Sequence, residues 1–179
     1  MKKILLLALV LLFTISGCGY TTKSLLAPHL RTVYIEPVIN KIDFTRETTY
    51  DNRFSIYRPG LERDLTKTLK ERFIFDGNLK VVNEKEKADS ELMCEVVDFL
   101  KEPLQYTDDQ NVDEYRLKII VNIKFTDLSN NVVLVDEKSF AGESTYTITG
   151  TLAGTESGTE QNAITDLARR VVEKIIEGW

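Results

Sequence analysis

The sequence predicts an α+β protein, a two-layer α/β sandwich in which two helices lie on one face of a four- to five-stranded, mostly antiparallel mixed sheet. Three observations lead there. Tyr115, Leu117, Ile119, Val121, Ile123 and Phe125 alternate with Arg116, Lys118, Ile120, Asn122 and Lys124, a period of two that means one buried and one wet face. Leu61, Leu65, Leu69 and Phe73 recur at every fourth position, which is the apolar stripe of a helix. Ile164, Leu167, Ala168, Val171, Val172, Ile175 and Ile176 form a second such stripe near the C-terminus. A sheet and two helices with one apolar face each cover one another as two layers, in the order β-α-β-β-β-β-α. The 179 residues suit one domain, and 42% hydrophobic with 28% charged residues excludes a disordered, collagen-like or disulfide-dense chain.

The first 17 residues belong to a different physical problem. Met1-Lys2-Lys3 is a basic start, Ile4 to Phe13 is wholly apolar, and Ile15-Ser16-Gly17 brings small residues to a cleavage point, so residues 1–17 read as an export signal. The apolar stretch is too short to cross a bilayer, which takes about 20 residues. Ile15-Ser16-Gly17-Cys18 matches the bacterial lipobox, which makes Cys18 the expected acylation site of a lipoprotein signal peptide, palmitate being the typical acyl group. Acyl chains hold a protein on a membrane surface without a spanning helix. Gly19 is not the acidic residue that retains such proteins at the inner membrane, so the expected location is the cell outer membrane, lipid-anchored and facing the periplasm.

Loss of Lys2 and Lys3 with the leader takes the formal charge from −5 to −7, which argues against a nucleic-acid partner. With Cys18 acylated, Cys94 has no intramolecular partner, and it reads as a small buried apolar residue.

Residues 18–30, with Pro28 and no clear period, read as a lipidated tether, and residues 31–179 as the single sandwich domain. Residues 32–39 alternate Val33, Ile35 and Val38 around Pro37, a strand at an edge or an end. Residues 41–58 read as a long loop. Pro59 suits the first turn of a helix, Glu62 and Asp64 match its positive end, Lys70 and Arg72 its negative end, and Asp76-Gly77-Asn78 stops it. Residues 79–83 form a short strand, residues 84–87 a charged connection, and residues 90–100 a strand ending near Pro103. Ser129-Asn130-Asn131 turns the alternating strand into residues 132–140, an antiparallel hairpin. Residues 141–160 begin as strand and become a Gly, Ser and Thr-rich loop. Ser157 and Glu160 have capping-box spacing ahead of the last helix, about five turns long.

Catalytic and metal residues are not found by pattern. His29 is the one histidine and reads as a solvated tether residue, so Ser/His catalysis and most zinc sites lack their ligands. Asp43, Glu47, Asp51, Asp108, Asp109, Asp113 and Glu114 leave carboxylate-only hydrolysis open, although no pair has a diagnostic spacing. Gly150 to Gly158 is neither a phosphate-binding loop nor a dinucleotide fingerprint. Residues 108–113 lack the glycine and the closing glutamate of a calcium loop. No cofactor is expected, and the sequence reads as a binder, not an enzyme.

Several strings, in order, resemble the lipopolysaccharide-assembly lipoprotein family, LptE: Gly17-Cys18-Gly19-Tyr20, Arg58-Pro59-Gly60-Leu61-Glu62, Glu114-Tyr115-Arg116-Leu117, Gly142-Glu143-Ser144-Thr145-Tyr146, and Asp166-Leu167-Ala168-Arg169-Arg170-Val171-Val172-Glu173 with Glu177-Gly178-Trp179. The resemblance implies an outer-membrane lipoprotein that plugs the LptD β-barrel, assists its assembly, and takes part in delivering lipopolysaccharide to the outer leaflet. It agrees with the sandwich read from periodicity. The alternative is an outer-membrane lipoprotein adaptor of another envelope machine, since such domains recur with different partners. Two sites follow as expectations. Tyr50, Phe54 and Tyr57 in the long loop either contact the barrel or belong to an ordinary surface loop. Arg116, Lys118 and Lys124 on the wet strand face either meet lipopolysaccharide phosphates or serve solubility.

Overall fold

The computed structural model describes residues 26–43, 54–55, 58–151 and 153–178. Cys18, Tyr50 and Tyr57 lie outside these residues, and of Phe54 only the backbone is described. The elements are β1 (Thr32–Ile35), β2 (Ile39–Asn40), β3 (Phe54–Ser55), α1 (Leu61–Asp76), β4 (Lys80–Val82), β5 (Ser90–Tyr106), β6 (Val112–Asp127), β7 (Val132–Thr147) and α2 (Glu156–Glu177). One sheet runs in the order β4-β1-β5-β6-β7, with β2 and β3 added along β5. The β1 strand is parallel to β4 and to β5, while β5, β6 and β7 form an antiparallel meander. The expected α+β sandwich is therefore present, and its sheet is mixed as expected.

The alternation in β6 decides the layering. Leu117, Ile119, Val121, Ile123 and Phe125 are buried, and they join Leu61, Leu65, Leu69 and Phe73 of α1 and Ile164, Leu167, Val171 and Ile175 of α2 in one core. Val33 and Ile35 of β1 and Leu92, Cys94, Val96 and Phe99 of β5 complete it. Cys94 is buried, and burial pushes its thiol up to about 12, so it behaves as an apolar core residue.

The structure departs from the sequence expectations where a partner strand or cap overrides local pattern. Pro37 has no N–H to give a ladder, and the expected strand over residues 32–39 splits there into β1 and β2. The Val38 N–H then donates to Thr66 Oγ1, fastening the break to α1. The expected loop over residues 41–58 contains β3, which pairs antiparallel with Leu100 and Lys101. Three short strands thus share one flank of β5 in succession, at residues 90–92, 95–96 and 100–101.

β5 also runs beyond Pro103 to Tyr106, with irregular register near Pro103. Pro103 lies past the last β3–β5 pair, where a missing N–H costs least. Helix α1 starts at Leu61 and not at Pro59, because Gly60 takes a left-handed conformation (φ 82°) and its carbonyl accepts from the N–H groups of Arg63 and Asp64. The helix continues to Asp76, which leaves Lys70 and Arg72 upstream of its last turn. For α2 the cap is Thr155, whose Oγ1 accepts from Gly158 N at 3.2 Å, and Glu160 instead turns to Arg58.

Candidate functional site

Two polar constellations sit at opposite ends of the sandwich. The first gathers where both helices begin. Arg58, just ahead of α1, pairs with Asp64 at 2.9 Å through Nη2 and with Glu160 of α2 at 3.2 Å through Nε. Beside it, Lys101 of β5 meets Glu156 of α2 at 2.5 Å, and the Tyr146 hydroxyl donates to the same Glu156 oxygen at 2.9 Å. The Tyr146 ring stacks on Tyr115 with centroids 5.8 Å apart, and the Lys101 ammonium lies 4.4 Å from the Tyr115 centroid. An adjoining open pocket of about 260 Å³ is lined by Glu114, Tyr146, Thr147, Thr155, Thr159 and Asn162.

The charges here are mutually committed. The bond from Lys101 holds Glu156 below the ordinary carboxylate range despite partial burial. For Lys101, burial alone would lower the pKa, but Glu156 and Tyr146 outweigh it and the net direction is upward. Burial raises Tyr146, and burial also raises Glu160 against the pull of Arg58. Each group has an opposite charge or a hydrogen bond facing it. The cluster is built as a clamp between β5, β6, β7 and the starts of α1 and α2. Among the described residues no group of His, Cys, Asp and Glu is placed to hold a metal ion, and no described helix is long and apolar enough to cross a membrane.

The second constellation shows that His29, although exposed as expected, is fixed to the sheet and does not lie free in a tether. His29 Nε2 lies 2.7 Å from Asp127 Oδ2, and the Asn130 side chain joins the same oxygen at 2.8 Å. Asp127 Oδ1 accepts from the N–H groups of Ser129 and Asn130, closing the β6–β7 turn. Burial would raise Asp127, but these four bonds hold it down at about 2. Leu30, next to His29, is buried in the core. The chain is thus fixed to the sheet before β1 begins.

Arg116, Lys118 and Lys124 do share the sheet face opposite the helices. Arg116 lies 3.7 Å from Glu143 of β7, an ion pair too long for a hydrogen bond. Lys118 stands across from Glu143 in register, and Lys124 across from Asp136. At about 3.3 Å per residue, Lys124 is ~20 Å along the strand from Lys118. The three cations therefore form a row interrupted by acids. Asp113 accepts from Thr149, and Glu114 lines the pocket described above.

Sequence reasoning missed the Lys101–Glu156 contact and the His29–Asp127 contact, each joining residues far apart in the chain. Arg58, Tyr115 and Tyr146, however, fall inside the strings that carried the family resemblance.

The lipopolysaccharide-assembly family, LptE, matches residues 30–177, from the buried Leu30 to the last residue of α2. The chain belongs to the LptE family. It is thus a member of a lipopolysaccharide-assembly lipoprotein family and not of an enzyme family. No curated protein sequence matches it. Among solved structures, the hypothetical protein CT253 from Chlamydia trachomatis is similar at 10% identity, with a TM-score of 0.50 over 82% of this chain and 95% of that one. That likeness concerns the fold. The rare lipoprotein B from Shewanella oneidensis is similar at 15% identity and TM-score 0.46, covering 79% of this LptE-family chain and 92% of its own. A minor lipoprotein from Acinetobacter baumannii is similar at 16% identity and TM-score 0.47, covering 82% and 92%.

Proposed function

We propose that this LptE-family chain is an outer-membrane lipoprotein, acylated at Cys18 after removal of residues 1–17, that plugs the LptD-type β-barrel and assists its assembly and the delivery of lipopolysaccharide. The observation that carries the reading is the family match from residue 30 to residue 177, which takes in every described element. The lipobox at Cys18 and the non-acidic Gly19 support the location. A rigid sandwich clamped at the end where both helices begin suits a plug, because a plug works by holding a shape against a wall and needs no reacting group.

In this reading the loop carrying Tyr50, Phe54 and Tyr57 meets the barrel wall, and the row of Arg116, Lys118 and Lys124 meets lipopolysaccharide phosphates. Cations on a strand face suit phosphate oxygens, and arginine can meet them with two bonds.

The decisive experiment is affinity purification of the tagged lipoprotein from solubilised membranes. A large heat-modifiable barrel in the eluate is expected; a different envelope complex in its place overturns the reading in favour of an adaptor. Alanine at Tyr50, Phe54 and Tyr57 is expected to reduce barrel recovery, and unchanged recovery makes residues 41–58 an ordinary surface loop. Charge reversal of Arg116, Lys118 and Lys124 is expected to weaken lipopolysaccharide binding, and unchanged binding removes these residues from the site.

A further inference from the structure

Strand register places several exposed apolar side chains at one end of the sandwich. Thr32 pairs with Lys80, Val33 with Ser90, Ser90 with Asp127 and Asp127 with Val132, so the starts of β1, β4, β5 and β7 and the end of β6 lie together. Helix α1 feeds β4 through Gly77 and therefore ends at the same place. There Ile74 and Phe75 are 66% and 80% exposed, and Val132, Val133 and Leu134 at the start of β7 are exposed as well. This is also the end at which the N-terminal chain is fixed, through His29 to Asp127 and through Leu30 in the core.

We infer that this end of the sandwich rests on the lipid surface to which the chain is anchored, with Ile74, Phe75, Val132, Val133 and Leu134 at the boundary between headgroups and acyl chains. The inference rests on acylation of Cys18. Only ten residues separate Cys18 from His29, and at about 3.5 Å each they span at most ~40 Å. A chain held that closely presents its fixed end to the membrane far more often than its far end.

Cations accompany the apolar side chains of this end. Arg31, Arg72 and Lys80 belong to the anchored end and make no ion pair among the described residues; the Arg72 guanidinium lies 5.2 Å from the Phe75 centroid. A cation beside an exposed aromatic ring suits an anionic headgroup above an apolar layer. At the opposite end Leu104, Tyr106 and Ile148 are also exposed; carboxylates stand at both ends, Asp76 and Asp89 at the anchored one and Asp108 and Asp109 at the other, so the short tether is what distinguishes the two. The end that carries Arg31, Arg72 and Lys80 together with exposed apolar side chains is the one the anchor delivers to the lipid.

The test uses the full acylated protein, carrying in turn Phe75→Cys, Val133→Cys or Asp109→Cys, each labelled with a polarity-sensitive fluorophore. Cys94 is buried and stays unlabelled. The proteins are reconstituted on phosphatidylethanolamine–phosphatidylglycerol vesicles that contain no barrel and are floated on a density gradient. Flotation with blue-shifted emission from positions 75 and 133, and none from 109, is the expected result. Flotation without a shift at 75 and 133, or with an equal shift at 109, overturns the inference while leaving the anchor intact. Failure to float overturns the acylation reading and this inference with it. Neither outcome bears on the plug reading, which barrel co-purification tests separately.

Discussion

At residue 142 a single hydrogen atom sets how closely α2 can approach the sheet. Gly142 faces the core from β7, in register with Ile119, and a Cβ built there would overlap the backbone N and Cα of Leu167. Backbone on a packed helix cannot step aside cheaply, so the helix as a whole must shift. Gly142→Ala is expected to cost about 1–3 kcal/mol, the usual range for overpacking, read as a lower urea midpoint. Unchanged stability would mean that α2 is free to slide. Glycine appears in the string that suggested the family, but its reason, a helix 25 residues further on, is a tertiary fact.

Asp127 makes a different residue-scale prediction. Its folded-state pKa is about 2 against an ordinary 3.8, because His29, Asn130 and two backbone N–H groups favour the ionised form over the penalty of burial. A carboxylate with a depressed pKa gives stability that is present above its unfolded value and lost as pH falls through the folded one. The protein is therefore expected to lose this contribution between about pH 4 and pH 2. Asp127→Asn should flatten the unfolding midpoint over that window. A midpoint that falls as steeply in the variant assigns the acid sensitivity to other carboxylates.

Among elements, those with an internal rhythm could be read from sequence, while those defined by a partner could not. Strand β6 and helices α1 and α2 announce their buried faces by periods of two and 3.6 residues. Strands β2 and β3, two residues each, exist because the long flank of β5 is available to pair with them. The shift of the α2 cap to Thr155 has a similar origin. Glu160, expected to turn back on its own helix, finds Arg58 3.2 Å away.

Lys101 and Glu156 show how elements are joined across such distances. Their 2.5 Å contact ties the middle of β5 to the first turn of α2, and the Tyr115–Tyr146 stack packs beside the ammonium. Glu156 is partly open to solvent, which screens the pair, so the coupling expected from a Lys101→Met and Glu156→Gln double-mutant cycle is about 1 kcal/mol. Each single variant is also expected to loosen the start of α2, seen as faster amide exchange at residues 159–163. Zero coupling would reduce the clamp to two independent surface charges.

For the molecule as a whole, the question is where the tether stops and the domain starts. Composition alone puts residues 18–30 on the tether side, since Pro28 and His29 carry no period. In the fold, Leu30 is buried, Leu26 packs against the core, and His29 closes the network on Asp127. A segment of five residues therefore acts as a plate that covers this end of the sandwich and is tied through Asp127 to the turn between β6 and β7. The expectation is a sharp difference between two shortened chains. One starting at Leu26 keeps the stability of the mature domain. One starting at Arg31 loses a buried leucine, worth about 2 kcal/mol, and with it the His29–Asp127 hydrogen bond. Near the scale of ~2–4 °C per kcal/mol for a domain of this size, the shorter chain should melt about 4–8 °C lower. Calorimetry of the two chains decides it. If they melt together, residues 26–30 are tether and this end is held by the sheet alone. If they differ as expected, the family match beginning at residue 30 opens within the folded core.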